Sequence, residues 1–244
     1  LWVIPCGFSP DEFFPVPREQ ARRHLGLAQD SRVVLQLGRM VPRKGVDTAI
    51  RGFARYARGR ADPAVLLVVG GDGGGDELAR LRHIAAEERV SDKVWFGGSR
   101  PRDELRYFYS AADLFITTPW YEPFGITPLE SMACATPVIG ARVGGIKHSV
   151  LHGRTGWLVP PNSPAAVAER LNYCYDHPWL VDRLGHRAVN HVRRHYTWDR
   201  VVNRITDLYD YVIAAARAGR RAPRGYAPTP AAPAPLQMGL GTGG

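Results

Sequence analysis

Residues 33–58 read VVLQLGRMVPRKGVDTAIRGFARYAR, and residues 64–71 read AVLLVVGG. The first five are a short apolar run rich in β-branched side chains, ending at Gly38. A strand covered on both faces reads this way, as a continuous run without polar alternation. From Val46 to Arg58 the period changes, and Ile50, Phe53, Ala54 and Ala57 fall on one helical face. Ala64 to Val69 is a second apolar run, closed by Gly70 and Gly71. Strand, helix and strand in succession predict a βαβ unit with parallel strands.

The same alternation continues outward. Glu77 to Arg89 carries Leu78, Leu81, Ile84 and Ala85 at helical spacing, and Val94 to Phe96 forms a third strand. Asp103 opens a helix through Leu105, Phe108 and Ala112, before a fourth strand at Leu114 to Thr117. A helix from Ile126 to Cys134, a strand at Val138 to Ala141 and a last short strand at Gly156 to Val159 follow. The fold class predicted is α/β, a Rossmann-like parallel sheet flanked by helices. Ser163-Pro164 then supplies a capping hydroxyl and a proline at the first helical position. C-terminal helices are expected over Pro164–Asp176, Pro178–Tyr196 and Thr197–Ala218. Residues 1–30 read as a linker and lead-in segment, and residues 31–218 as the Rossmann-like domain with its helices. Residues 219–244, with Pro223, Pro228, Pro230, Pro233 and Pro235 and a Gly-rich end, read as a disordered tail.

Composition narrows the function classes. The 244 residues are 45% hydrophobic and 23% charged, an ordinary globular balance. No stretch of about 18 uncharged apolar residues is present to cross a membrane as a helix. The sequence starts at Leu1 rather than Met, and Pro5-Cys6-Gly7 follow too soon for a secretory signal, so it reads as a fragment of a longer protein. Cys6, Cys134 and Cys174 are widely spaced and form no CxxC pair, which speaks against a zinc site or a disulfide framework and for free thiols in a reducing cytoplasm. The net charge of +9 comes from 29 Arg and only 3 Lys (Lys44, Lys93, Lys147). The arginines are scattered, and no aromatic-basic RNA motif or helix-turn-helix signature accompanies them, so no nucleic-acid partner is expected. Peripheral contact with an anionic inner membrane face is compatible with the charge.

Two loops carry the chemistry. Gly38-Arg39-Met40-Val41-Pro42-Arg43-Lys44-Gly45 leaves the first strand at its carboxyl end, where ligands of doubly wound sheets bind, so Arg39 and Lys44 stand where an anion would sit. A solvated loop with incidental charge is the plain alternative. Glu122-Pro123-Phe124-Gly125-Ile126-Thr127-Pro128-Leu129-Glu130 leads from a strand into a helix. The amides of Phe124, Gly125 and Ile126 are the unpaired donors of a helix start and suit a phosphate. Glu122 and Glu130 would accept hydrogen bonds from sugar hydroxyls on either side; an acidic residue favouring the helix dipole is the alternative for Glu130. Gly70 to Gly75 is no dinucleotide loop, because Asp76 stands where the third glycine is needed. The histidines show no ligand spacing, and Ser131 and Ser149 have no visible triad partners.

These loops, with Pro137-Val138 and Gly144-Gly145 after them, resemble the nucleotide-sugar half of a retaining GT-B glycosyltransferase of family 4. Ile4-Pro5-Cys6-Gly7-Phe8 and Phe14-Pro15 are similar to that family's interdomain linker, and Thr155-Gly156-Trp157-Leu158-Val159 and Trp198 to its later pattern. The resemblance spans roughly residues 3 to 212. It implies the C-terminal half of a GT-B enzyme that transfers a hexosyl group from a UDP-, GDP- or ADP-sugar to an acceptor with retention. By position, Arg39 and Lys44 would hold the diphosphate and neutralise the leaving group, and Glu122 would bind hydroxyls of the transferred sugar. Gly38 and the amides of Phe124, Gly125 and Ile126 would meet the donor, Glu130 the ribose, and the segment Phe96-Gly97-Gly98-Ser99 the base. No Asp-x-Asp triplet is present, so the expected reaction needs no metal and no cofactor beyond the donor. The acceptor, and the N-terminal domain that would bind it, are missing partners. Ala135 stands where the family usually has glycine, and Cys6 where it has asparagine. A nucleotide-sugar epimerase of the same architecture and a non-catalytic nucleotide-sugar-binding module are the alternatives.

Overall fold

A computed structural model describes residues 2–60, 63–71 and 75–218. These fall into two units, Pro5–Val201 and a smaller one made of residues 2–4 and 202–218. The expected tail at 219–244 and the centre of the Gly70–Gly75 loop lie outside the described residues.

The larger unit runs α1 (Arg18–His24), β1 (Arg32–Leu37), α2 (Val46–Ala57), β2 (Ala64–Val69), α3 (Asp76–Glu87), β3 (Val94–Gly98), α4 (Leu105–Ala111) and β4 (Leu114–Thr117). It continues with α5 (Ile126–Ala133), β5 (Val138–Ala141), α6 (Ile146–Ser149), β6 (Gly156–Val159), α7 (Pro164–Asp176) and α8 (Pro178–His195). The helix α9 (Trp198–Arg217) starts in this unit and continues into the other, where Trp2 and Tyr211 meet with ring centroids 5.8 Å apart. All six strands are parallel, in the order β3-β2-β1-β4-β5-β6. The order reverses between β1 and β4, and the crevice at the carboxyl ends of those two strands is where this architecture binds ligands.

The continuous apolar runs have the cause expected of them, because both sheet faces are covered. On one face Val34, Leu66, Val68 and Ile116 pack with Ile50 and Phe53 of α2, Leu81 of α3, and Val167 and Leu171 of α7. On the other, Leu35, Leu67, Phe115 and Val138 pack with Phe108 of α4, Leu129 and Met132 of α5, and Ala188 and Val192 of α8.

The largest difference from the sequence reading is at the start. Residues expected as a linker contain α1, and Phe8 and Phe13 are buried in the second core. A buried polar contact fastens α1 to the sheet. Arg22 donates to Ala111 O (3.0 Å), Gln29 O (2.6 Å) and Asp113 Oδ1 (3.0 Å), while Asp113 Oδ2 accepts the Val33 amide (2.8 Å). No period in the sequence marks so short a helix, held by side-chain contacts to residues far along the chain. The helix expected from Asp103 begins instead at Leu105, after a 3₁₀ turn over Arg102–Glu104. The one expected to reach Arg89 stops at Glu87, with Arg89 left-handed at φ 58°.

Candidate functional site

Lys44 ends a 3₁₀ turn, Pro42–Lys44, that follows β1. Gly45 then turns the chain into α2 with φ +62°, and a Cβ there would lie 2.0 Å from Thr118 O, so a side chain fits neither the backbone nor the space. Thr118, just after β4, donates its hydroxyl to Gly45 O at 2.7 Å. Trp120 adds two bonds to the same turn, from its amide to Arg43 O (3.2 Å) and from its indole to Pro42 O (3.3 Å). The loops after β1 and β4, adjacent strands across the switch point, are thus sewn together.

At the end of that seam Lys44 Nζ donates to Glu122 Oε2 at 2.5 Å, both side chains being largely buried. Glu122 Oε1 accepts the Gly125 amide at 3.3 Å. Burial alone pushes the Glu122 carboxyl up. The hydrogen bond and charge of Lys44, with the amides of Gly125 and Phe124, outweigh it, and the net shift is downward. Glu122 is therefore held as a carboxylate at neutral pH. The third loop, after β5, supports it from below: Gly145 donates to Glu122 O at 3.2 Å. A Cβ on Gly144 would lie 1.6 Å from that carbonyl, and one on Gly145 2.0 Å from Phe124 O. The paired glycines are an absolute spacing requirement of this loop contact. The sequence signal for it is the Gly144-Gly145 doublet after an apolar strand.

The other expected residues divide. Phe124 and Ile126 are exposed beside Glu122 at the N-terminus of α5. Of the three amides expected to be free, that of Gly125 is spent on Glu122 and that of Phe124 also faces the same carboxylate, a correction that follows from the left-handed turn (φ +77°) at Gly125. Arg39 is exposed at the carboxyl end of β1 and forms no ion pair among the described residues. Gly38, Gly70 and Gly98 form a ledge along the strand tips: Gly38 donates to Val69 O (2.9 Å) and Gly70 to Gly98 O (2.8 Å). A Cβ on Gly70 would lie 1.9 Å from Gly38 O. Gly97 is on β3, two strands from β1, and accepts from Arg100 Nε at 3.0 Å; Ser99 is exposed just beyond it.

Glu130 is not part of the Lys44–Glu122 pair. It lies a turn into α5, buried, where Tyr109 donates its hydroxyl to Oε2 (3.0 Å) and Arg102 Nη1 stands 3.5 Å from Oε1. Burial raises its carboxyl, only partly offset by Tyr109 and Arg102. The two glutamates are thus shifted in opposite directions. Among the described residues no group of three or more His, Cys, Asp or Glu is placed to hold a metal ion. A cleft of about 470 Å³ lined by Arg58, Glu88, Val90 and Lys93 lies where α2 and α3 end, toward the amino ends of the strands and away from this site.

The chain is thus a doubly wound α/β sheet with a lysine–glutamate pair and a helix start at its switch point. The chain belongs to the family described as glycosyl transferases group 1, matched over residues 17–191. It is 40% identical over 220 residues to D-inositol 3-phosphate glycosyltransferase of Acidothermus cellulolyticus, covering 88% of this chain and 49% of that protein. Among solved structures it resembles sucrose-phosphate synthase from Thermosynechococcus elongatus, at 33% identity and TM-score 0.78, over 88% of this chain and 53% of that one. Anabaena HepE in complex with UDP-glucose matches at 25% identity and TM-score 0.76, over 86% of this chain and 57% of that one. The architecture is that of the C-terminal domain of GT-B glycosyltransferases. The chain spans about half the length of the curated relatives it matches. No helix among the described residues is long and apolar enough to cross a membrane.

Proposed function

We propose that this chain binds the donor of a hexosyl transfer, a nucleotide diphosphate sugar, and that the transfer proceeds with retention and without a metal. The observation that carries the reading is the Lys44–Glu122–Gly125 contact at the switch point, a cation and a charged carboxylate at the mouth of a helix N-terminus. The structure of HepE with UDP-glucose supports a uridine donor among the candidates; GDP- and ADP-sugars remain the other arms of the test.

In this reaction the bond from the anomeric carbon to the β-phosphate oxygen breaks, and an acceptor hydroxyl oxygen forms the new one, its proton passing to the departing diphosphate. Charge accumulates on the departing diphosphate. Lys44 uses one of its N–H donors on Glu122 and has two left for phosphoryl oxygens, and Arg39, exposed at the carboxyl end of the same strand β1, forms no ion pair among the described residues. Two such cations, one of them held in place by Glu122, stabilise the leaving group in the place of a metal. Each Glu122 oxygen has a second lone pair, and a carboxylate locked in charge and position suits hydroxyls of the transferred sugar. Glu130 Oε1, with Arg102 3.5 Å away, retains acceptor capacity for the ribose hydroxyls. The glycine ledge at Gly38, Gly70 and Gly98 lets a nucleotide approach the backbone of β1 to β3, toward Gly97 and Ser99.

Calorimetry of the chain with UDP-, GDP- and ADP-sugars tests this directly. One of them should bind, and Lys44→Ala should weaken that binding. In an enzyme complete with its acceptor half, Lys44→Ala or Arg39→Ala should cost about 2–4 kcal/mol of transition-state stabilisation, with turnover unaffected by EDTA. Binding without any transfer in the complete enzyme would leave a binding module, and recovery of an epimerised sugar nucleotide would make it an epimerase. Failure of all three nucleotides to bind would overturn the donor site itself.

A further inference from the structure

Helix α8 presents one side to solvent. Trp179, Arg183, His186, Arg187, Asn190, Arg193 and Arg194 are all exposed, whereas Leu180, Leu184, Ala188 and Val192 are buried. At about 100° per residue, the exposed set falls within roughly a third of the helix circumference, a stripe about 24 Å long. Four guanidiniums thus project from one face. The acid flanking them, Asp182, is already neutralised by Arg18 of α1 at 3.1 Å. Arg193 and Arg194 lie in the last turn, where cations favour the helix dipole. That account does not extend to Arg183 and Arg187, which stand in the middle of the helix. Nor does it cover Trp179, 58% exposed in the first turn with the Arg183 guanidinium 5.4 Å from its ring centre.

We infer that this stripe is a docking surface for an anionic lipid bilayer, on which α8 lies flat. A single helix on the outside of the fold gives a convex strip rather than a groove. It offers one aromatic ring at one end, not a series on which bases could stack. A membrane surface is the partner that matches these features: an extended plane of negative charge, with an interfacial zone that suits a tryptophan. The inference stands apart from the donor site, which lies at the strand tips and shares none of these residues.

The test is co-sedimentation of the 244-residue chain with vesicles of phosphatidylcholine alone, or with about 30 mol% phosphatidylglycerol, at low and raised salt. Binding is expected only to the anionic vesicles and should weaken with salt. Arg183→Glu/Arg187→Glu/Arg194→Glu should reduce it about 100-fold, at about fivefold per arginine or more. Arg55→Glu/Arg82→Glu/Lys93→Glu changes the net charge equally on other elements and should leave most of the affinity intact. If the reversed variant melts early, the glutamine triple at the same three positions, which removes the three charges without reversing them, serves instead and should still lose at least tenfold. Absence of binding to anionic vesicles overturns the proposal, and so does an equal loss in both triple variants. Tighter capture by RNA than by vesicles at equal phosphate would assign the stripe to nucleic acid instead. UDP-sugar calorimetry on the α8 variants keeps the two readings distinguishable, because donor binding should be unchanged in all of them.

Discussion

Replacing Lys44 by methionine keeps the aliphatic stem and removes the charge that holds Glu122 ionised. In the wild type, Lys44 and its neighbouring amides bring the Glu122 carboxyl below its ordinary value, so the group stabilises the fold above that value, and the contribution fades as pH falls through the lowered one. In Lys44→Met only burial and two amides remain, and burial is the largest influence. The folded-state pKa should then rise above the unfolded one, which reverses the sign: the variant is penalised at neutral pH and recovers as Glu122 takes up a proton. With the two side chains 17% and 13% exposed, the cost lies between that of an exposed pair and that of breaking a buried one, about 2 kcal/mol. Urea unfolding of wild type and Lys44→Met at about pH 7.5 and pH 5 measures it. The gap should narrow at the lower pH, and the double variant Lys44→Met/Glu122→Gln should recover most of it at the higher. A gap that is the same at both pH values would show that Glu122 is not a desolvated carboxylate, and the locked pair would be wrong.

Three further outcomes follow from individual environments. Glu130 carries a raised pKa, so its ionisation costs stability as pH rises through that value. Glu130→Gln should be neutral to stabilising in neutral-pH thermal melts while weakening nucleotide-sugar binding about tenfold; a strongly destabilised variant would refute the burial argument. His191 is pushed down to about 4, first by burial and then by His195, so stability should fall as pH drops from 6.5 toward that value. His191→Gln should flatten this acid limb, worth up to about 3 kcal/mol, and an unaltered pH slope in denaturant titrations would contradict it. Ala135 sits left-handed at φ 64° in a Schellman turn, where Thr136 donates to Ser131 O and Ala135 to Met132 O. Ala135→Gly should raise stability by about 1 kcal/mol, seen as a higher melting temperature; a lower one would mean that unfolded-chain entropy outweighs the relieved strain.

The sheet was legible because its signal is redundant. Both faces are covered, so every strand is an apolar run, and four of the six strands have the bounds the pattern predicted: Ala64–Val69, Leu114–Thr117, Val138–Ala141 and Gly156–Val159. α1 was not legible, since what holds it is a guanidinium reaching Asp113 across 91 residues, a pairing no local period encodes. Ala135 was visible as a departure from a glycine pattern, but its meaning, a left-handed residue closing a helix, needed the backbone. The Gly144-Gly145 doublet was visible too; that its missing side chains make room for the Glu122 and Phe124 carbonyls was not.

The candidate site shows the same division most clearly in its two glutamates. Their eight-residue spacing reads as a symmetrical pair, two acids flanking an anion. In the folded chain a left-handed Gly125 stands between them and ends the symmetry. Glu122 stays in the loop, within reach of a lysine from the neighbouring strand, and its charge is held on. Glu130 is carried onto the buried face of α5, against a tyrosine that donates one hydrogen bond and an arginine too distant to cancel the cost of burial. Spacing along a chain can specify which element a carboxylate rides on, but its charge state follows from which cation the fold delivers to it. Here that cation comes from a loop 78 residues away for one acid and from a solvent-exposed turn for the other. A ligand hydroxyl offered to both would thus meet one carboxylate whose charge Lys44 favours and one whose charge burial disfavours.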